Sequence, residues 1–458
     1  MARTVEADYL VVGAGAMGMA FTDALIDRAD VRVALVDRRH GVGGHWLAAY
    51  PFVRLHQASA FYGVPSTLLG GGRLQQHGPE TGLQERATAP EICAYYDKVL
   101  AGMLESGKVE FFPNCEYVDR TIVSRISGQR YDVPQACRIV DARYLAPDIP
   151  EETPPPFDVA DGVRVVPVND LARLTEAPSQ FVVVGSGKTA TDACIWLLRR
   201  GVDPDAICWV RPRDPWMLNR ALVQPDPAVY LGMVADTMAA GEAAASLDDL
   251  FLRMESADIM LRIDRSVTPT MAKTPTLAVW ELEQLRSIEH VVRLGHIRSV
   301  RPRLIAFDHG SVDIARDALL VHCAASGLKY PPSVPIWGPS AITLQPVRAG
   351  FPCFGAAIAG YVEATRQDDV EKNRLCPPSP FPDSLAGWAT MNVLGMRAAM
   401  SFGAEPDIKA WADTVALNPA RIPPEHGGSA ALDDALERLQ AHAGPGLARL
   451  AELSADER

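Results

Sequence analysis

Short apolar runs bounded by glycine, each followed by a stretch of helical periodicity, organise the first half of the chain. Residues 8–12 predict a buried strand, 13–18 a tight glycine loop, the stretch to about residue 28 a helix, and 31–36 a second strand ending at Asp37. The same order returns at 181–184, at 185–190, on to about residue 200, and at 206–210, where the strand ends at Arg211. Strands are also predicted at 109–112 and 138–141, with a helix around 90–106. Residues 146–157 read APDIPEETPPPF; five prolines and three acidic residues leave too few amide donors and too little apolar surface for a packed element, which predicts a crossing between domains. From about 228 to 262 the chain is rich in Ala, Met, Leu and Asp without strand alternation, which predicts a helical insertion walling a pocket. Strands return near 305–307 and 318–323, and Pro331, Pro332 and Pro335 mark a return crossing. The tail after Pro382 is predicted helical, with its charged final stretch on the surface.

The two glycine loops carry the chemistry. GAGAMG places Gly13 for the tight turn, Gly15 for close approach of a pyrophosphate and Gly18 for strand–helix packing. Ala16 and Met17 open a helix whose N-terminal amides and dipole favour phosphate. Asp37, nineteen residues past Gly18 and followed by Arg38, is placed to accept hydrogen bonds from a ribose diol and to repel a 2'-phosphate, which selects FAD or NAD over NADP. In GSGKTA, Gly185 and Gly187 repeat the turn, Lys188 and Thr189 begin the helix and assist the phosphates, and Ala190 replaces the last glycine. Here the second strand ends in WVRPR, whose Arg211 and Arg213 suit a 2'-phosphate and predict NADPH. The GKT is not a P-loop, because Val182 stands where that motif requires its first glycine.

Over roughly residues 5–365 the order of motifs resembles the class B flavin-dependent monooxygenases, which include flavin-containing, N-hydroxylating and Baeyer-Villiger monooxygenases. The resemblance implies an α/β fold of two Rossmann-like dinucleotide-binding domains, for FAD and NADPH, the second inserted in the first, with a helical insertion and a helical C-terminal tail. The expected division is residues 1–150 and 330–390 for FAD, 151–329 for NADP with the insertion at about 225–290, and 391–458 for the helical C-terminal region. GVGGHW resembles the family's glycine–tryptophan segment and supplies Gly44, His45 and Trp46. The following stretch makes Arg54, His56 and Gln57 flavin neighbours and candidate catalytic groups. Asn219 is a further candidate catalytic group, contacting nicotinamide or peroxide, or a helix-start cap. Val118, Ala325 in the crossing CAASG, and Gly355 or Ala356 near the isoalloxazine complete the implied cofactor contacts. The implied reaction takes hydride from NADPH, activates O2 as a flavin C4a-(hydro)peroxide and oxygenates a small organic substrate. One departure stands out: the fingerprint F-x-G-x-x-x-H-x-x-x-[YFW] is expected before the second glycine loop, but residues 157–171 read FDVADGVRVVPVNDL, without the histidine or the aromatic. A dehydrogenase or reductase that does not incorporate oxygen therefore stays open, as does a nucleotide-binding sensor without turnover.

Composition narrows the setting. At 458 residues, 48% apolar and 22% charged, the chain is expected to fold as two to three globular domains. A net charge of -12 speaks against a nucleic-acid partner. Eight cysteines without a C-x-x-C pair exclude a vicinal redox pair and a structural zinc site, and ten scattered histidines give no metal motif. The N-terminus lacks signal-peptide features and no apolar run is long enough for a membrane span, so a cytoplasmic location without a membrane partner is expected. Flavoproteins of this size often dimerise, and the oligomeric state stays open between a monomer and a homodimer.

Overall fold

The protein, in a computed structural model that describes residues 3–325, 327 and 329–455, is built on two five-stranded parallel sheets, each carrying one glycine loop. In the first unit, β1 (Tyr9–Val12) leads through α1 (Ala16–Arg28) to β2 (Val33–Val36), and α2 (Ala89–Glu105) leads to β3 (Val109–Phe112), with β4 (Arg138–Asp141) closing the run. The second unit has β5 (Arg164–Pro167), β6 (Phe181–Val184), α3 (Lys188–Arg199) and β7 (Ile207–Val210). After β7 come β8 (Trp216–Asn219), α4 (Pro227–Ala243), α5 (Leu247–Ser256), β9 (Met260–Arg262), β10 (Thr276–Leu277) and α6 (Val279–Leu285). The chain continues through β11 (Val291–Val292), β12 (Leu319–His322), β13 (Ile342–Thr343), α7 (Pro352–Thr365), α8 (Leu385–Gly403) and α9 (Ala430–Ala455).

The first sheet runs β13-β4-β1-β2-β3 and the second β5-β12-β6-β7-β11. The chain thus leaves the first sheet after β4, builds the whole second sheet and returns to the first at β13. Helices cover both faces of such sheets, which is why β2, β6 and β7 are uninterrupted apolar runs with every residue buried. Glu363 of α7 is a buried carboxylate that accepts from the Tyr9 hydroxyl at 2.7 Å, Arg138 at 2.9 Å and Lys372 at 2.7 Å, and so ties α7 to β1 and β4.

Two expectations from the sequence are corrected. The insertion is not wholly helical: β9 pairs antiparallel with β8, and β10 lies on the other side of β8. A three-residue strand with Met260 and Leu261 both buried shows no alternation for a sequence pattern to reveal. The C-terminal helix α9 is not simply a surface tail, since Leu432, Ala435, Leu450 and Leu453 are buried. It crosses α4 so closely that a Cβ on Gly446 would fall onto the Met238 carbonyl. Seven of the eight cysteines are buried and Cys93 is half-buried, all as free thiols. Among the described residues no helix is long and apolar enough to cross a membrane.

Candidate active site

At the first loop, Gly13 turns out of β1 with a φ of 108°, a conformation open to glycine. A Cβ on Gly18 would land on the Gly13 carbonyl oxygen, so β1 and α1 close together only with glycine there. Gly15 caps α1 without a side-chain hydrogen bond, and the first turn holds no acidic residue, which leaves the helix N-terminus to an anion. A Cβ on Gly44 would stand 3.0 Å from the Gly15 Cα, so the turn Gly44–Ala48 is pressed against the loop. Asp37 shapes the same loop: its Oδ2 accepts from the Ala14 N–H at 2.7 Å and its Oδ1 from the Arg39 N–H at 2.8 Å. Each oxygen keeps a further lone pair, and Asp37 lines the cavity described below.

The second loop repeats this architecture, with Gly187 as the bare cap of α3. Lys188 differs from expectation, because its ammonium is held by Asp192 one turn on and lies 3.6 Å from Glu281 Oε1. Tyr50 of the first unit donates to the same Asp192 at 2.7 Å. The arginines at the end of β7 part ways. Arg211 lies over the Trp209 ring at 4.6 Å, meets Asp214 at 3.4 Å and is buried outside the cavity. Arg213 lines the cavity and holds Asp383 at 3.1 Å, with Lys273 3.6 Å from that carboxylate.

A single cavity of about 1090 Å³ touches both glycine loops. Every residue proposed from the sequence as a site residue lines it except Gly18, Arg211, Asn219, Gly355 and Ala356. Gly18 serves packing, as above. Asn219 is a cap: its Oδ1 accepts from the Ala221 N–H at 3.1 Å and its Nδ2 donates to the Asp258 carbonyl at 2.9 Å, which uses both ends of the side chain. Gly355 is buried within α7, where a Cβ would stand 2.7 Å from the Val347 nitrogen, so its lack of a side chain serves packing and not a cofactor. The turn before α7, with Phe351 and Pro352, faces the cavity instead.

His56 is exposed to the cavity, yet enclosure by the cavity walls, reinforced by Lys188, Arg220 and Arg86, pushes its imidazole down to about 3, and burial pushes the half-buried His45 down to about 4, reinforced by Arg39. Both are neutral near pH 7, so the fixed positive charge in the 54–57 stretch belongs to Arg54 alone. Beneath His56 lies Arg220, fully buried, which donates to the His56 carbonyl at 3.0 Å and pairs with Glu80 and, at 2.7 Å, with Glu281. Burial alone would raise the Glu281 carboxyl, but Lys188 and Arg220 hold it down to about 2.

The sequence reading missed several cavity residues. Asn169 sits within the segment that lacks the family fingerprint; it is buried, lines the cavity and donates to the Ala48 carbonyl at 3.1 Å, bridging the units. Beyond the loops the cavity opens into an apolar lobe walled by Tyr230, Met233 and Met238 of α4, Trp388 and Met391 of α8, and Arg348. A pocket wall was expected of the α4 region; nothing local in the sequence marks α8.

The chain is 44% identical over 421 residues to two proteins described as uncharacterized, Rv2000 of Mycobacterium tuberculosis (strain ATCC 25618 / H37Rv) and Mb2023 of Mycobacterium bovis (strain ATCC BAA-935 / AF2122/97), spanning 91% of this chain and 78% of each relative. It belongs to their family. Within this family member, residues 11–55 match the model of the NAD(P)-binding Rossmann-like domain. Similar solved structures include a flavin-containing monooxygenase from Stenotrophomonas maltophilia (12% identity, TM-score 0.45, 80% of this chain and 98% of that one). An oxidized steroid monooxygenase bound to NADP aligns at 14% identity and TM-score 0.48, covering 96% and 99%.

Proposed function

We propose that the first glycine loop holds FAD, the second holds NADPH, and the protein uses the pair to oxygenate a small organic substrate. One observation carries this reading: a single cavity touches the bare N-termini of α1 and α3 and continues into an apolar lobe. The residues fit the groups. The Gly15–Gly44 cradle admits a pyrophosphate that any Cβ would obstruct, and Asp37 supports a ribose without a 2'-phosphate. The match of residues 11–55 to a dinucleotide-binding model supports the same site. At the second loop, Arg213 and Lys273 offer two cations to a 2'-phosphate, with Asp383 yielding its place.

When bound, the flavin would accept hydride and activate O2. The chain's own part is to hold the nicotinamide and flavin in one enclosed space, to keep His45 and His56 neutral there, and to present substrate from the lobe. With NADPH supplying two electrons, one oxygen atom would enter the substrate and the other leave as water. Segment 157–171, which lacks the fingerprint histidine and aromatic, favours a second reading: an FAD- and NADPH-dependent dehydrogenase or reductase. Purified protein should carry a flavin spectrum that NADPH bleaches without air. Product made under labelled O2 should then carry label; unlabelled product would leave the second reading, and protein without flavin would end both.

A further inference from the structure

The apolar lobe holds a charge that nothing in the fold neutralises. Arg348, on the loop between β13 and α7, is 8% exposed and lines the cavity. Its side chain donates to the Tyr230 hydroxyl at 3.2 Å. Among the described residues no carboxylate pairs with it. The other buried arginines are matched, Arg220 by Glu80 and Glu281 and Arg211 by Asp214. A guanidinium stays protonated at any pH the protein meets, and a buried cation without a counter-charge is strongly unfavourable. None of the Arg348 nitrogens is both sealed and unpaired, so its free N–H groups open to the cavity. The N-terminus of α7 adds to the positive field, since its cap Phe351 gives no side-chain bond and its first turn holds no acidic residue.

The rest of the lobe is apolar apart from Thr237 and Asn392, which donate to the Met233 and Trp388 carbonyls of their own helices. Met233, Val234 and Met238 face it from α4, and Trp388, Met391 and Met396 from α8. The α8 wall alone, from residue 388 to 396, extends about 12 Å at helical rise. Methionines make such a wall adaptable to apolar bodies of differing shape.

We propose that the substrate is an apolar molecule about as long as that wall, ending in one carboxylate held by Arg348. The inference rests on reading the lobe as the substrate side of a flavin enzyme. One cation beside a neutral tyrosine hydroxyl balances one negative charge, and the planar fork matches a carboxylate. A phosphate dianion would bring a second, unbalanced charge into an apolar chamber; the two-cation cluster of Arg213 and Lys273 lies at the nucleotide site instead.

The test uses the full chain as purified, titrated with the saturated carboxylates from hexanoate to tetradecanoate and with the methyl ester and alcohol of the tightest binder. Binding is read by calorimetry and by the flavin absorbance. The acid should bind at least about tenfold more tightly than the ester or alcohol, and Arg348→Gln should lose about ten- to a hundredfold of that binding while Arg348→Lys keeps part of it. Arg348→Met should hold or raise the melting temperature of the ligand-free chain, because it removes an unmatched buried charge; an arginine needed only for structure would lower it. Failure of every acid to bind, or equal binding of acid, ester and alcohol, overturns the proposal. So does an Arg348→Gln chain that binds acid normally but loses flavin, which would place the guanidinium at the flavin. If the wild-type chain carries no flavin, calorimetry still decides the carboxylate question and only the flavin reading fails.

Discussion

Arg211 and Arg213 stand two residues apart after β7, yet Pro212 and the turn send them to different places, one under Asp214 and over Trp209, the other into the cavity. On the proposed function, coenzyme choice therefore falls to Arg213. Arg213→Ala should weaken NADPH by about ten- to a hundredfold with little change for NADH, the size of a lost charge-assisted bond. Arg211→Ala should lower the melting temperature and leave the NADPH to NADH ratio unchanged; steady-state kinetics with both coenzymes separates the two, and a ratio that moves with Arg211 refutes the assignment. The histidines give a second residue-scale prediction. Unfolded imidazole titrates near pH 6.5, whereas in the fold enclosure and nearby cations push the half-buried His45 down to about 4 and the cavity-exposed His56 down to about 3. Below about pH 6.5 the unfolded chain therefore binds protons the fold refuses, so their contribution is present above that pH and lost as pH falls toward 4 and 3. Calorimetric melting between pH 7.5 and 5 should show falling stability, with a shallower slope in the double variant His45→Asn/His56→Gln. An unchanged slope would remove the two histidines from the account.

At the scale of elements, the glycines of the first loop are not equivalent. Gly15→Ala adds a Cβ with 3.6 Å to the nearest atom, the Gly44 Cα, so the chain should fold with a near-native melting temperature while flavin retention falls. Gly18→Ala drives its Cβ into the Gly13 carbonyl, so stability should drop by about 1–3 kcal/mol and flavin should be lost together with it. Measuring flavin content beside melting temperature tells them apart, and equal stability of the two would contradict the packing role of Gly18. These loops were legible in the sequence because their constraints are local: glycine where a Cβ would collide, apolar strands on each side, a helix start without a cap. The lobe was not legible. Tyr230 on α4, Arg348 before α7 and Trp388 on α8 meet only through tertiary packing, and each alone reads as an ordinary helix or loop residue. Gly355 failed for the opposite reason, since a glycine needed to seat α7 against Val347 looks in sequence like one needed to admit a cofactor.

For the whole molecule, the question is what makes two nucleotide-binding units act as one body. Glu80 belongs to the first unit and Arg220, Trp280 and Glu281 to the second, and all but Trp280 are buried at their meeting place. Glu80 receives Arg86 at 2.8 Å, Trp280 Nε1 at 3.1 Å and Arg220, while Arg220 reaches across to the His56 carbonyl at 3.0 Å. Removing one partner of a buried pair leaves a charge without compensation, at a cost of about 3–5 kcal/mol. Glu80→Gln should therefore lower stability by that order and split calorimetric unfolding into two transitions, because the lost ion pair is one that joins the units. Arg38→Ala, which removes a half-exposed partner of Glu152, should change stability by less than about 1 kcal/mol and keep a single transition. Since Arg220 also positions His56 in the cavity, Glu80→Gln should loosen the flavin along with the interface. A Glu80→Gln chain that melts in one step, close to wild type and with full flavin, would mean that the apolar contacts between the units suffice and that the buried charges only fix their register.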